Sequence, residues 1–380
     1  MTQDSRIASQ LGLPIDLLKE TLQSHRYALS LNEENADALF NTAQALASLA
    51  ETLYESKGEE AKPEAIPLLQ EAVELFSSCL TRQELEHETQ TQMQAARTDD
   101  EDTAMDSSTR TDEPSLSMEE SPSTSEPPDE YVTVIDPTTP STLLETLLAQ
   151  LSALTTLTDF SAPTSSSTLA MLSSLASPLI ATKIPFYLAQ IPSTAPDDDH
   201  PTPPAGPTLS ISASGTAALS RPKPPPSPQA AAAAEASLAV AAFDAAMAEA
   251  EYRSRLTDAQ AYASRLADAF EPLLQAAPAP GTSRAATPLA MSSCQPPASA
   301  ELLCAYADRL VDLDGALADA AEPAGEASRL RALALTRAEE LLMRAAAAPE
   351  SEGAPSRQEI RDGLRGVHER SEALGSLAAG

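Results

Sequence analysis

Residues 27–75 begin with YALSLNEENADALFNTAQAL and end with AIPLLQEAVEL. Polar residues at 32–35 interrupt the apolar pattern, which predicts a turn between two helices. Residues 36–53 carry apolar side chains at spacings of four and three, as one face of a helix requires. A third helix is predicted at 63–80, because Pro63 suits a first turn and apolar residues recur behind it. Together with a helix predicted at 14–31, these segments make the start of the chain helical.

The same periodicity recurs downstream and predicts an all-α protein. A leucine stripe marks one helix, which Thr142 and Glu145 would open with a capping box. Its members are Leu143, Leu147, Leu151 and Leu154. Further helices are predicted at 168–191 with a break near Pro178 or Pro185, and at 230–277, 299–321, 326–348 and 356–377. The predicted packing face of the alanine-rich region is Leu256, Ala259, Ala263, Leu266, Phe270 and Leu273.

Shifts in composition divide the chain into segments. Residues 83–130 are rich in acids and lack a large aliphatic run, so we expect an acidic disordered insertion with a helical extension near 84–94. Proline-rich composition predicts two disordered linkers. The predicted boundaries are repeat-like helices at 1–82, the acidic insertion at 83–130, a helical pair at 131–191, a linker at 192–229, an alanine-rich helical region at 230–277, a linker at 278–298 and C-terminal helices at 299–380.

Composition and charge argue against several classes of function. The chain has 380 residues, 32 prolines and a net charge of −32, from 56 acids and 24 bases. A nucleic-acid surface needs clustered lysine and arginine, and anionic membranes repel an acidic chain, so we expect neither as a partner. Cys79, Cys294 and Cys304 form no close pair, and the N-terminus lacks a secretory signal. These features favour the cytoplasm or the nucleus.

The order of small and large residues in 27–75 resembles a tetratricopeptide repeat (TPR), a helix-turn-helix unit that stacks into an α-solenoid. In such a repeat, small residues let helices cross closely and large ones fill the space towards the next repeat. The matching packing positions are Ala28, Leu39, Ala43, Ala65, Leu69 and Ala72. The resemblance implies TPR-like antiparallel helix pairs, interrupted here by disordered acidic and proline-rich segments.

The chain departs from the family pattern in its spacing. Ala65 lies 22 residues after Ala43, ten more than the family spacing, and Glu33 replaces the turn proline. The small-large-small spacing returns downstream, although alanine-rich sequence produces such matches easily. These later sets are Ala239, Phe243 and Ala246, and Ala338, Leu342 and Ala345. The first repeat lacks its opening helix, so we expect either a half-repeat cap or a truncated N-terminus.

The resemblance also implies a binding groove, because the first helix of each repeat lines the concave face in this family. The matching positions are Asp37, Phe40, Asn41, Gln44, Ala47 and Ser48. None is a base, whereas family members that clamp the acidic tails of chaperones present lysine and arginine there. An acidic peptide is therefore not the expected ligand. For Phe40, packing against a neighbouring helix is the alternative.

The acidic segment supplies a second candidate binding element. Its central carboxylates are Asp99, Asp100, Glu101, Asp102, Asp106, Asp112, Glu113, Glu119 and Glu120. Such a tract would attract a basic client of the ribosomal-protein or histone class and give fast, salt-sensitive association. The alternatives are a phosphorylated regulatory loop and an inert solvated insertion.

No residue pattern supports catalysis. The four histidines lack metal-ligand spacing, and the chain has neither a phosphate-binding glycine loop nor a nucleophile elbow. We therefore expect no enzyme, no cofactor and no metal, but a protein-binding adaptor or assembly chaperone with a basic partner. The alternative is a structural scaffold or a regulatory subunit of a larger complex. The oligomeric state is left open.

Overall fold

The computed structural model describes residues 14–103, 137–193, 227–275, 299–319, 324–348 and 355–379, and every regular element in them is helical. The predicted all-α class is therefore confirmed. The helices are α1 (Pro14–Leu31), α2 (Ala36–Lys57), α3 (Lys62–Thr103), α4 (Pro140–Ser161), α5 (Ser166–Pro178), α6 (Ile184–Leu188), α7 (Pro228–Arg253), α8 (Ala259–Gln275), α9 (Ala300–Asp319), α10 (Ala324–Ala347) and α11 (Arg357–Ala379). The predicted linker at 278–298, and most of the linker at 192–229, lie outside the described residues.

Local chemistry defines the two ends of α2. The Asn35 side chain accepts a hydrogen bond from the Ala38 backbone N–H at 2.8 Å and so caps the first turn. Gly58 takes φ +63°, which glycine adopts easily because it has no Cβ, and its N–H bonds to the Tyr54 carbonyl. The predicted turn at 32–35 is confirmed, and α2 runs one turn further than predicted.

Helix α3 continues to Thr103, so it includes the helical extension predicted near 84–94 and runs nine residues beyond it. Gln83 is buried and accepts a hydrogen bond from the Thr146 hydroxyl of α4 at 2.8 Å. His87 Nδ1 lies 3.0 Å from the Thr138 carbonyl oxygen, just before α4. These tertiary contacts hold the part of α3 that corresponds to the predicted helical extension. The rest of the predicted insertion, 104–130, lies outside the described residues.

Helix α4 is capped three residues earlier than predicted. The Thr139 hydroxyl accepts from the Thr142 N–H, and the Thr142 hydroxyl accepts from the Thr139 N–H, each at 3.2 Å. The predicted box between Thr142 and Glu145 is therefore wrong, because Thr142 takes the place of the usual glutamate at the third helical position. The predicted stripe is confirmed, with 0% exposure at Leu143, Leu147, Leu151 and Leu154.

The predicted break between α5 and α6 takes the form of a π-helical turn, Leu179–Lys183. Pro178 ends α5, and Pro185 lies in the first turn of α6, where its missing N–H costs little. The π turn lies between these two prolines, as expected where proline disturbs the regular hydrogen-bond ladder. Helical structure therefore continues from α5 to α6 without an intervening loop.

The alanine-rich region forms two helices, which corrects the single region predicted at 230–277. Arg255 takes φ +59°, a left-handed conformation that ends α7. The Asp258 side chain accepts a hydrogen bond from the Ala261 N–H at 2.7 Å at the start of α8. Leu256, predicted on the packing face, lies in this connection and is 52% exposed. The residues that become buried are Ala259, Tyr262, Leu266 and Phe270.

Serine side chains cap the C-terminal helices. Ser299 Oγ accepts from the Leu302 N–H at 3.2 Å before α9. Ser356 and Glu359 form a reciprocal capping box before α11, with distances of 3.2 Å and 2.6 Å. The helices predicted at 299–321, 326–348 and 356–377 are confirmed within two residues at each end.

Two hydrophobic cores share α7 as a common wall. The first core lies among α1 to α7, and the second among α7 to α11. Phe243 and Met247 belong to the first core, whereas Ala245 and Tyr252 belong to the second. Because half of its residues are alanines, α7 allows close approach on both sides. Helices α4 and α9 both pack against α7 in this arrangement.

Candidate functional site

The predicted groove positions lie along α2 at spacings of four and three, so the polar ones share one face. The exposed members are Asp37, Asn41, Gln44 and Ser48. Phe40 and Ala47 are partly buried, and the Phe40 ring meets the Phe76 ring edge-on with centroids 5.7 Å apart. Four polar side chains are therefore available for a ligand, while Phe40 packs against the first core.

Five of the six predicted repeat-packing positions are buried. Leu39 is 6% exposed, and exposure is 0% at Ala43, Ala65, Leu69 and Ala72. Ala28 is exposed, so its predicted packing role is wrong. Helix α1 packs instead through Leu22, with Ile15 and Leu18 partly buried beside it. At 3.6 residues per turn, Ala28 lies on a different side of the helix from Leu22.

The predicted acidic tract begins inside a helix. Asp99, Asp100, Glu101 and Asp102 belong to the end of α3. The other five predicted residues, Asp106, Asp112, Glu113, Glu119 and Glu120, lie outside the described residues. The part of α3 from residue 83 to residue 103 spans about 30 Å at the usual helical rise. The beginning of the tract therefore lies at the far end of a long helix.

The sequence analysis missed an ionic cluster where α4, α7 and α9 meet. Arg309 of α9 donates two hydrogen bonds to the Asp159 carboxylate of α4, at 3.2 Å and 3.0 Å. The same guanidinium lies 3.6 Å from Glu249 of α7 and 3.7 Å from Asp312 of α9. Because the Arg309 side chain is 16% exposed, solvent screens these contacts less than it screens surface pairs. Arg309 thus connects three helices.

Glu249 is the most deeply buried carboxylate of this cluster. Its side chain is 9% exposed, and one oxygen lies 2.6 Å from Arg253 Nη2, one turn along α7. Burial raises the pKa of Glu249 to about 6, and the negative charge of Asp312 adds to that shift, while Arg253 and Arg309 oppose it. The raised pKa means that the attraction of the two arginines does not offset the loss of solvation on burial.

Tyr262 of α8 lies close to the same carboxylates. Its side chain is 0% exposed, and its ring stacks on Tyr252 with centroids 5.4 Å apart. The Tyr262 hydroxyl makes no hydrogen bond to any residue that the structure describes. Burial raises the pKa of this hydroxyl, and the charges of Glu249 and Asp312 raise it further. Negative potential therefore extends into the second core.

A contact between α2 and α4 joins this cluster to the groove face. The Thr156 hydroxyl of α4 donates a hydrogen bond to Glu51 of α2 at 3.2 Å. Glu51 follows Ser48 by one turn, and Thr156 precedes Asp159 by one turn, so the groove stripe meets the cluster here. We call the combined set the acidic junction; it consists of Glu51, Asp159, Glu249, Asp312, Arg253 and Arg309.

The acidic junction contains more acidic than basic side chains. It contains four carboxylates and two guanidiniums, and burial raises the pKa of Glu51, with a further contribution from Glu55. Burial also raises the pKa of Asp312. A carboxylate that has lost solvation is stabilised in its ionised form by a nearby positive charge.

Glu249 should give protein stability a pH dependence of defined sign. Its folded-state pKa of about 6 lies above the ordinary 4.5, so folding favours the protonated form. This stabilisation is complete below the ordinary pKa and is lost as the pH rises through the folded-state value. Relative to Glu249→Gln, we expect the wild type to gain at most about 2 kcal/mol on acidification from neutral pH to that lower range.

Urea unfolding of both proteins across this pH range measures the difference. The Glu249→Gln variant is the reference because it keeps the side-chain shape but does not titrate there. The quantity to follow is the unfolding free energy of the wild type minus that of the variant, which should rise as the pH falls. If it stays constant or decreases, the Glu249 pKa is not raised.

Part of the junction has a signal in the sequence. Glu249 and Arg253 are four residues apart, and Arg309 and Asp312 are three apart, which are favourable spacings on a helix. Such pairs normally predict an exposed helix surface. The pairing of Arg309 with Asp159, 150 residues away, has no local signal and depends on the packing of α4 against α7 and α9.

Two further observations concern metals and membranes. The described residues contain no group of three or more histidine, cysteine, aspartate or glutamate side chains that could hold a metal ion. Two helical stretches among them, Ser166–Leu188 and Pro228–Arg253, are long and apolar enough to cross a membrane by length and composition. The second stretch is α7, and core helices of soluble proteins also meet this criterion.

Comparison with known proteins provides no family for the chain. No family model, no curated protein and no solved structure matches it. The TPR resemblance therefore depends on the residue pattern at 27–75, and function must be inferred from the chemistry of the surface.

Proposed function

We propose that this protein is a non-enzymatic, TPR-like helical-repeat protein that binds a basic client as an adaptor or assembly chaperone. The acidic junction is the observation that carries the proposal, because its four carboxylates outnumber its two guanidiniums. A client of the ribosomal-protein or histone class would present lysine and arginine side chains to this surface.

Helix order supports the repeat part of this proposal. Helices α1, α2, α3 and α4 pack on one another in the order of the chain, as stacked helix pairs do. The small residues Ala43, Ala65 and Ala72, which the repeat pattern requires at helix crossings, are all fully buried. The groove stripe of α2 would then be one part of a continuous inner face that leads to the junction.

Long-range charge supports the basic client. The net charge of −32 would steer a positively charged protein towards this chain and raise the association rate, most strongly at low salt. The acidic tract would add to this attraction, because its nine carboxylates are part of that negative charge. In this proposal the tract captures the client, and the groove with the junction holds it.

The test is affinity capture from cell extract with the intact chain and with a variant lacking the tract, at low and at high salt. Residues 104–130 are replaced by a glycine-serine segment of equal length, because residues 83–103 belong to α3 and their removal would disturb the fold. We expect the intact chain to retain basic proteins that are released at high salt, and the variant to retain less of them.

An unchanged set of partners, with unchanged salt dependence, would contradict a role of the tract in capture. A set of partners without excess basic charge would contradict the basic client itself. Circular dichroism of both proteins provides the control, since equal helicity shows that the replacement leaves the described helices intact.

A structural scaffold is the second candidate. Three large apolar side chains on α5 and α6 are 44% to 59% exposed: Met171, Leu175 and Phe186. Apolar side chains exposed together often mark a protein interface. A scaffold role predicts partners that stay bound at high salt and do not depend on residues 104–130, so the same experiment separates the two functions.

A further inference from the structure

A cleft between α9, α10 and α11 has the composition of a site for a basic side chain. Its volume is about 560 Å³, and it is open to solvent. Leu342 of α10 and Ile360 of α11 contribute apolar surface, and each residue is 4% exposed. Gly363 also lines the cleft, and a Cβ at this position would come within 3.4 Å of Leu342 Cδ1. The absence of a side chain at Gly363 therefore leaves space beside the apolar surface.

Three carboxylates surround this apolar surface. Glu301 and Asp308 of α9 are seven residues apart and share one side of the helix, and Glu359 of α11 lies across the cleft. Glu359 Oε2 accepts a hydrogen bond from the Ser356 N–H at 2.6 Å, which holds the carboxylate in position. None of the three carboxylates forms an ion pair with any residue that the structure describes.

Cys304 adds an independent observation. This residue is 8% exposed, lies between Glu301 and Asp308 on α9 and lines the cleft. Its thiol makes no hydrogen bond to a described residue, whereas the thiol of Cys79 donates to the Ala36 carbonyl at 3.3 Å. Burial raises the pKa of Cys304 to about 11, with contributions from Asp308 and Glu359. A buried thiol without a hydrogen-bond partner among the described residues thus lines the cleft.

We propose that this cleft binds the side chain of a lysine or arginine of the basic client, with its aliphatic stem on Leu342 and Ile360 and its charged end among the carboxylates. This inference rests on the proposed function and adds the place at which the client is held. Lysine and arginine suit such a site because they combine an apolar stem with a cationic end. The three unpaired carboxylates would repel a phosphate or a carboxylate ligand.

The cleft also has a geometric connection with the acidic junction. Asp312 follows Asp308 by one turn of α9, so the two carboxylates lie on neighbouring turns of one side of the helix. The negative charge of Asp312 contributes to the raised pKa of Asp308, after burial. A client segment that places one basic residue in the cleft can therefore place the next ones along α9 towards the junction.

The experiment measures fluorescence anisotropy of a labelled octalysine peptide, and separately of octaarginine, with the full chain. The cleft variant is Glu301→Gln with Asp308→Asn. The matched control is Asp319→Asn with Glu326→Gln, which removes the same charge from exposed positions at the end of α9 and the start of α10. We expect the cleft variant to bind about tenfold more weakly, as the loss of partly exposed charge pairs implies, and the control to change by less than about twofold.

A second variant keeps every charge and fills the space. Gly363→Leu should also weaken the binding of octalysine about tenfold, because a leucine would occupy the volume needed by the lysine stem. Leucine favours helix more than glycine does, so α11 should stay folded. Circular dichroism at 222 nm and the unfolding midpoint check that each variant retains the wild-type fold.

The outcomes distinguish a failure of the cleft proposal from a failure of the proposed function. Equal losses in the cleft variant and its charge-matched control, with no effect of Gly363→Leu, would overturn the cleft and leave the basic client in place. Failure of the wild type to bind either peptide, together with affinity capture that yields no basic proteins, would overturn the proposed function itself. Loss in both cleft variants but not in the control supports the site.

Discussion

Replacing Arg331 with methionine is expected to destabilise the protein by about 3 kcal/mol. Arg331 Nε of α10 donates to Asp314 Oδ1 of α9 at 2.7 Å, and Arg370 Nη1 of α11 lies 3.3 Å from the other oxygen. The Asp314 side chain is 2% exposed, so its charge cannot reach solvent when a partner is lost. Methionine keeps most of the volume and removes the charge. Urea unfolding followed at 222 nm measures the loss.

Arg329→Met is the matched control, because Arg329 lies on the same helix and is exposed. We expect this variant to change the unfolding free energy by less than about 0.5 kcal/mol. Combining Asp314→Leu with Arg331→Met should restore part of the loss, since an apolar pair needs no compensating charge. Equal effects of Arg331→Met and Arg329→Met would contradict the buried ion pair.

Replacing Phe76 with alanine is expected to cost about 3–5 kcal/mol. Phe76 of α3 is 1% exposed and packs in the first core against α2. Its ring also meets Phe40 edge-on, with centroids 5.7 Å apart. Truncation would leave a cavity that the surrounding helices can fill only in part, and it would remove the contact with the second ring. The unfolding free energy and the thermal midpoint should both fall.

Phe186→Ala is the control for this prediction. It makes the same chemical change on α6, where the phenylalanine is 59% exposed. Because little apolar surface is recovered from water there, we expect a change of less than about 0.5 kcal/mol. Similar losses for the two variants would show that Phe76 does not lie in a closely packed core.

Helix positions follow from the sequence wherever periodicity is local and capping residues are nearby. The turn at 32–35 and helices α9 and α11 illustrate this, since their apolar spacing and their serine or asparagine caps lie within a few residues. The cap of α4 was misplaced because threonine at 142 performs the task usually assigned to glutamate. The residue pattern alone does not show that a threonine takes this role.

Prediction fails where distant contacts override local composition. Residues 95–103 fall in the segment whose composition predicts disorder, but α3 continues through them. Earlier in the same helix, Gln83 and His87 contact residues that precede or form α4. Ala28 matches a repeat position in sequence, but α1 presents Leu22 to the core instead. In the first case the contacting residues lie far along the chain. In the second case the orientation of α1 decides which of its side chains are buried.

Helicity and negative charge were determined by the amino-acid order itself, because periodicity and net charge are properties of the chain before it folds. Tertiary packing decided which carboxylates lie close together. Asp159, Glu249 and Asp312 lie on three different helices, and they meet around Arg309 because α4 and α9 both pack against α7. Packing also buries Glu249, and this loss of solvent raises its pKa.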